Sequence, residues 1–444
     1  MKKDMTEGSE RRQILAFSLP IMGANLLQVL YNLVDSVIVG NFVSSTALGA
    51  VGLTGSLTWL LVTVCTGLGS GTSIAVSQFF GARKDQEIRE TVTSAYVLAL
   101  ILAVAETLLC FVLAKPVIWG FLQPPVEMQG DSLTYFLIYS SGIVFQLLYN
   151  VTYGVLRAHG DSRGALLFLL VSAILNLVLD CLFVIVFHWG VAGAAVATVI
   201  AQAGSAIASM IYMGKLFPEL IPRRGYLTSC RTRTGMIIRL SVPITFQSMV
   251  SALGFTVLQR LVNTFGTPSI EGYAAMQKIE QIAHIPSNSF NVAIASFVGQ
   301  NIGAGKPDRA RKGYRATVQM GIAISACLGI LVILLDEPAL SLFNIAGESM
   351  RRGREHLDLL MLFIWVSTTT NITCGFLQGA GDVKIPAVSG FVNLGVRLAL
   401  SYLMAATAVN FRCVYFSMPP AWTLACLFVV FRYRSGKWKK YRLV

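Results

Sequence analysis

Two aspartates lie in stretches where charge is otherwise rare. Asp35 ends Tyr31-Asn32-Leu33-Val34-Asp35, and Asp180 ends Asn176-Leu177-Val178-Leu179-Asp180. In each, a hydrogen-bonding residue precedes the carboxylate by four positions, which puts both on one face of a helix. Turned inward, two such faces make a small oxygen-rich site for a cation or a proton. The hydroxyl of Thr198 can add to it. A carboxylate in an apolar setting is costly, and no lysine or arginine lies in the neighbouring apolar cores to neutralise either one. Pro20 stands eleven residues before Tyr31. A proline inside a helix removes a backbone hydrogen bond, and a bend there would move the Asp35 face.

Composition says what must hold these residues. The chain has 444 residues, 55% of them hydrophobic and 13% charged, with 39 glycines. Its mean hydropathy is +0.65. A soluble domain carries about 25% charged residues, and one of this size could not hide so much apolar surface. A water-soluble enzyme, a disordered chain and a fibrous one are all excluded. A spanning helix needs about 20 apolar residues. Twelve runs qualify, near 14–38, 47–72, 92–114, 132–156, 164–187, 192–214, 236–262, 271–298, 316–336, 355–377, 386–408 and 414–432. No strand-period segment has comparable length. The expected fold is an all-α polytopic membrane protein with twelve transmembrane helices.

The net charge of +13 reads as loop asymmetry and not as a nucleic-acid surface. With the N-terminus cytoplasmic, 27 of the 35 lysines and arginines fall inside, Lys2, Lys3, Arg223 and Arg224 among them. The reverse orientation breaks the positive-inside rule. Both termini are then cytoplasmic, which an even number of spans requires. The polar start of the chain does not read as a cleavable signal. The eight cysteines are scattered, with no CxxC pair, and read as small packing residues.

The chain also repeats. Leu19-Pro20-Ile21 recurs as Val242-Pro243-Ile244, an offset of 223. Val76, Gln78, Gly81, Ala82 and Lys84 recur as Val298, Gln300, Gly303, Ala304 and Lys306, an offset of 222. Gly160-Asp161 recurs as Gly381-Asp382, an offset of 221. Three landmarks at nearly one offset predict two homologous six-helix halves of the same topology. The predicted division is an N-lobe over 1–214, a cytoplasmic linker over 215–235, a C-lobe over 236–432 and a basic tail over 433–444. A channel or a receptor can also have many spans, but internal duplication with a polar midplane favours a carrier.

The second half departs from the first. Leu258 stands where Asp35 would recur, and Arg397 and Ser401 where Asn176 and Asp180 would. The carboxylate site is therefore expected in one lobe only. The second half instead carries Arg260, Lys278, Glu280 and Arg397. Lys278 and Glu280 are two apart and do not face each other on a helix. Either can pair with Arg260 or Arg397 across helices, and ion pairing is the leading expectation over substrate contact. Glu106, beside alanine and threonine, reads as structural. Gly160-Asp161-Ser162-Arg163-Gly164 matches GxSxG but lacks the strand a nucleophile elbow needs. Gly305-Lys306 lacks the first glycine of a phosphate loop. Gly67-x-Gly69-x-Gly71 lies in an apolar helix and reads as close packing. The four histidines form no metal motif, so no cofactor is expected.

With these residues in place, the chain resembles the multidrug and toxic compound extrusion (MATE) family. The resemblance covers nearly the whole length. It rests on Pro20 to Asp35, Val76-x-Gln78-x-x-Gly81-Ala82 with its copy Val298-x-Gln300-x-x-Gly303-Ala304, Gly160-Asp161 with Gly381-Asp382, Asn176-x-x-x-Asp180 and Thr198. It implies a V-shaped pair of six-helix bundles that rock between inward- and outward-open states. The implied activity is export of organic, often cationic, amphipathic compounds, driven by entry of Na⁺ or H⁺. It places the cation site on Tyr31, Asp35, Asn176, Asp180 and Thr198, with Asp35, Asn176 and Asp180 as Na⁺ ligands if Na⁺ is the ion, and a bend in the first helix near Pro20. The absence of a carboxylate at Leu258 and Ser401 puts a second cation site in doubt. The expected setting is a bacterial plasma membrane, with a monomer sufficient and no nucleic-acid partner. The alternative is a lipid-linked oligosaccharide flippase of the same superfamily, favoured by the basic residues Arg260, Lys278 and Arg397. An intramembrane enzyme needs a nucleophile–base or metal constellation, and none is visible.

Overall fold

The computed structural model describes residues 4–222, 225–226, 230–408 and 411–444. Lys2, Lys3, Arg223 and Arg224 of the charge count lie outside the described residues. The fold is all-helical, with no strand among the described residues. In lipid every backbone polar group must be satisfied within its own segment, and helices do this. The helices are α1 Glu10–Phe42, α2 Ser45–Gly81, α3 Asp85–Lys115, α4 Val126–Ser141, α5 Ile143–Ala158, α6 Arg163–Asp180, α7 Gly190–Leu216 and α8 Cys230–Asn263. They continue as α9 Thr267–Ala283, α10 Ile285–Gly303, α11 Pro307–Leu334, α12 Asp336–Ser341, α13 Gly347–Gly379, α14 Lys384–Ala408, α15 Arg412–Phe416 and α16 Met418–Arg434.

Among the described residues, ten helices are long and apolar enough to cross a membrane, or eleven with α4 and α5, bent by 45°, taken as one. Each of the twelve expected runs falls on helix. The run at 271–298 is the one that does not qualify by length and composition. It is divided between α9 and α10, and Gln277, Lys278, Glu280, Gln281 and His284 dilute its apolar character. The last expected run is likewise divided at Ser417, just ahead of Pro419 and Pro420.

The chain forms two compact units. Unit 1 is built on Gly23–Thr245, and unit 2 on Met5–Met22 with Phe246–Val444. The changeover falls inside α1 and α8, three residues past Pro20 in one and three past Pro243 in the other. The stretch 215–235, where the division was predicted, lies within unit 1.

The repeat seen in the sequence is repeated in packing. In unit 1, α5 presses on α2 so closely that a side-chain carbon on Gly154 would strike the backbone of Gly69. In unit 2, α13 meets α10 the same way, Gly375 against the backbone of Asn291. Small residues let membrane helices approach like this. Tyr96 and Thr152 share a hydrogen bond of 2.6 Å in unit 1, and Tyr314 and Thr373 one of 2.9 Å in unit 2. Gly67 and Gly71 face Thr245 and Ser241 of α8, within unit 1.

The repeated motifs end helices. Gly160 and Gly381 have φ of +81° and +90°. The N–H groups of Asp161 and Asp382 bond back to the carbonyls of Leu156 and Leu377, which closes each helix in a Schellman turn. Lys84 and Lys306 do the same toward Phe79 and Asn301. Asp161 then caps α6 by accepting from the N–H groups of Arg163 and Gly164. The GxSxG match is this turn and cap.

Candidate functional site

The candidate site lies in unit 1, where α1, α6 and α7 supply the five residues singled out in the sequence. Asn176 and Asp180 are one turn apart on α6 and both 1% exposed. Thr198, on α7, is also buried. Its hydroxyl donates to the Ala194 carbonyl at 2.9 Å and accepts from Asn176 Nδ2 at 3.5 Å. Tyr31 and Asp35, one turn apart on α1, are half-buried. The Tyr31 hydroxyl lies close to Thr198. The structure thus brings all five together.

The Asp35 and Asp180 carboxyls are near neighbours, close enough to interact directly. Two carboxylates cannot hydrogen-bond unless a proton sits between them. Asp35 Oδ1 and both oxygens of Asp180 are buried and find no N–H or O–H donor. No lysine or arginine among the described residues pairs with either group. Such an arrangement can hold one proton, or a small cation through the oxygens of Asp35, Asp180, Asn176, Thr198 and Tyr31. From Cys181 to Val186, immediately after Asp180, the helix widens into a π turn. Such turns recur at functional positions.

Three further neighbours are Tyr135, Tyr139 and Gln202. Tyr135 and Tyr139, one turn apart on α4, are stacked with ring centres 6.2 Å apart. Tyr135 faces Asp35, Asp180 and Tyr31. Tyr139 accepts from Gln202 of α7 at 3.5 Å. The signal that could have found the two tyrosines is their spacing of four in a run otherwise rich in serine and aliphatic residues.

Pro20 lies within α1, which continues as one helix on both sides of it. In unit 2, Leu258 is fully buried among apolar side chains. Ser401 donates to Ser417 at 2.7 Å. No carboxylate site is formed there. The expected cross-helix pairing of Lys278 is corrected: Lys278 and Arg260 are both exposed, and neither has an ion pair among the described residues. Glu280 instead meets His284, one turn on, at 3.7 Å. Arg397 is buried near Glu280 and Tyr273 and stands 5.8 Å from the ring of Phe255. The physical reason is helical: residues two apart point to different sides, so Glu280 turns inward and Lys278 outward.

The MatE family model matches residues 20–182 and 243–403 of the chain, which are the two repeats. "Probable multidrug resistance protein YpnP" of Bacillus subtilis is 27% identical over 443 residues, 99% of this chain and 98% of that protein. "Probable multidrug resistance protein NorM" of Thermotoga maritima is 23% identical over 445 residues, 97% of this chain and 93% of that protein. A solved structure described as the outward-facing conformation of a multidrug resistance MATE family transporter of the MOP superfamily matches at a TM-score of 0.90, 21% identity and 98% of both chains. A MOP superfamily transporter of Pyrococcus furiosus, described by the reverse polarity of its binding pocket, also matches at 0.90, with 22% identity over 98% of both chains. At these identities the structural likenesses establish the fold.

Proposed function

The chain belongs to the MatE family of multidrug and toxic compound extrusion proteins, transporters and not enzymes, and we propose that it is a proton-coupled multidrug efflux antiporter. Its cargo on this reading is small organic, often cationic, amphipathic compounds. The names of its relatives support the cargo class. The observation that carries the coupling is the neighbouring pair of half-buried Asp35 and buried Asp180, without a cationic partner among the described residues and near Tyr31, Asn176, Thr198 and Tyr135.

The chemistry follows from the pair. A proton entering from outside is held between the two carboxyls, where it removes one of two adjacent negative charges from an apolar surrounding. Losing it restores the repulsion. Asp35 rides on the second half of α1, so the two states favour different placements of that half-helix, and Pro20 is the point where α1 yields. The alternation of the two states is coupled to alternating access of the cargo site.

The test uses proteoliposomes. Export of a fluorescent cationic dye is followed under an imposed pH gradient and, separately, an imposed Na⁺ gradient, for the wild type and Asp35→Asn. Export driven by the pH gradient and lost in the variant is the expected result. Export driven only by Na⁺ would replace the proton by a sodium ion at the same oxygens. Export under neither gradient would turn attention to an oligosaccharide-lipid flippase, which the exposed Arg260 and Lys278 support.

A further inference from the structure

The second copy of the glutamine–glycine–alanine motif does more than end a helix. The segment Met5–Glu10, ahead of α1, lies across it. Met5 N donates to Gln300 Oε1 at 2.9 Å, and Asn301 Nδ2 donates to the Met5 carbonyl at 3.1 Å. Lys306 Nζ donates to the Thr6 carbonyl at 3.0 Å. Arg309 is the hub. It reaches the carbonyls of Met5 and Glu7, the Glu10 carboxylate at 3.1 Å and the Gln13 side chain at 3.0 Å. Two of its four partners are main-chain carbonyls, so the grip reads backbone as well as sequence. Below it, Met5, Ile14, Phe17 and Ile21 are buried with Phe290, Phe297 and Trp438.

All of these residues belong to unit 2. From Gly23 onward α1 belongs to unit 1, where Gly23 meets Leu166 of α6, and twelve residues later it carries Asp35. One helix is therefore fastened at its start in one unit and bears half of the carboxylate pair in the other. A helix with a loose lead-in would absorb any displacement of its far half at the free end. A fastened one passes it on.

We propose that Met5–Glu10 is a strap that fixes the first half of α1 to unit 2, so that α1 transmits the state of the Asp35–Asp180 pair to unit 2, with Arg309 as the chief positioning residue. This rests on the antiporter reading above. The strap is a fixed attachment and stays closed through the cycle.

The experiment separates site chemistry from transmission. Arg309→Ala is compared with wild type for dye affinity, for proton release on dye binding, and for export under a pH gradient. Affinity and proton release should stay within about twofold, while export falls about tenfold. Arg309→Lys should recover part of the loss, since lysine keeps the charge but not the fork. In a cysteine-free background, Met5→Cys with Gln300→Cys, once oxidised, should restore export to Arg309→Ala by replacing the strap with a covalent bond. Export of Arg309→Ala at the wild-type rate, loss of dye affinity alongside export, or a cross-link that blocks export would each overturn the strap. Asp35→Asn is run beside them. If that variant still exports, the antiporter reading fails, whatever Arg309 does.

Discussion

Asp35 on α1 and Asp180 on α6 point their carboxyls at one another, and no lysine or arginine among the described residues pairs with either. Two negative charges this close in an apolar surrounding repel, and this is the basis of the proposal that the pair carries a proton. Neutral groups stand near it: the hydroxyls of Tyr31, Thr198 and Tyr135 and the amide of Asn176.

Asp35→Asn and Asp180→Asn should each reduce gradient-driven export to background while leaving folding and membrane insertion intact. The amide is nearly isosteric and cannot cycle a proton. Dye export and surface amount measured together decide this. Normal efflux from either variant at equal amount rules out the site as drawn.

Tyr135→Phe keeps the ring stacked on Tyr139 and removes a hydroxyl that faces both carboxyls. A nearby hydroxyl able to donate to the carboxyl pair is worth ~1 kcal/mol when it does so, so export should slow about fivefold. Tyr135→Ala should cost the fold as well, by about 3 kcal/mol for the cavity. Initial export rates and thermal midpoints in detergent distinguish the two effects.

Pro20→Ala restores a backbone donor inside α1 and stiffens it. Turnover should fall several-fold more than dye binding weakens. A variant with normal turnover shows that α1 does not need to yield at this point.

Asp382 lies in the turn between α13 and α14, outside the spans, and accepts from Arg432 Nε at 2.7 Å. Burial pushes its carboxyl above the usual range, with the Arg432 guanidinium opposing the rise. The native state therefore holds this proton to higher pH than the unfolded chain does. Stability contributed by the protonated form is lost as pH rises from about 4 through the raised pKa, and Arg432 limits the loss. Arg432→Gln should lower stability by about 3 kcal/mol. The drop in thermal midpoint should be larger at pH 8 than at pH 5. An equal drop at both pH values means that Asp382 is not the group responsible.

How much was legible in the sequence follows from what lipid penalises. Long apolar runs and isolated carboxylates stand out because each is costly in the other's surroundings, and so the helices, Asp35 and Asp180 could be read directly. Asn176 and Tyr31 followed from helical spacing. Tyr135, Tyr139 and Gln202 did not, because neutral polar side chains are common in membrane helices and carry no such signal. The run at 271–298 was read as an ordinary span, yet the polar face of α9 and the break before α10 set it apart. The Glu280–His284 pair could have been found, since it is spaced by four. The repeat was legible as offsets, but that Gln300 and Lys306 grip the start of the chain depends on the fold's bringing residue 5 to residue 300.

The changeover inside α1 and α8 also bears on how the protein is made. Met5–Met22 is synthesised more than two hundred residues before its packing partners, which lie beyond Phe246. Unit 1, in turn, is not complete until Thr245 has been synthesised, past the connecting stretch. Neither half of the duplicated gene, cut at its obvious seam, encodes a finished core. The start of α1 therefore finds its packing partners only once the second half of the chain has been made.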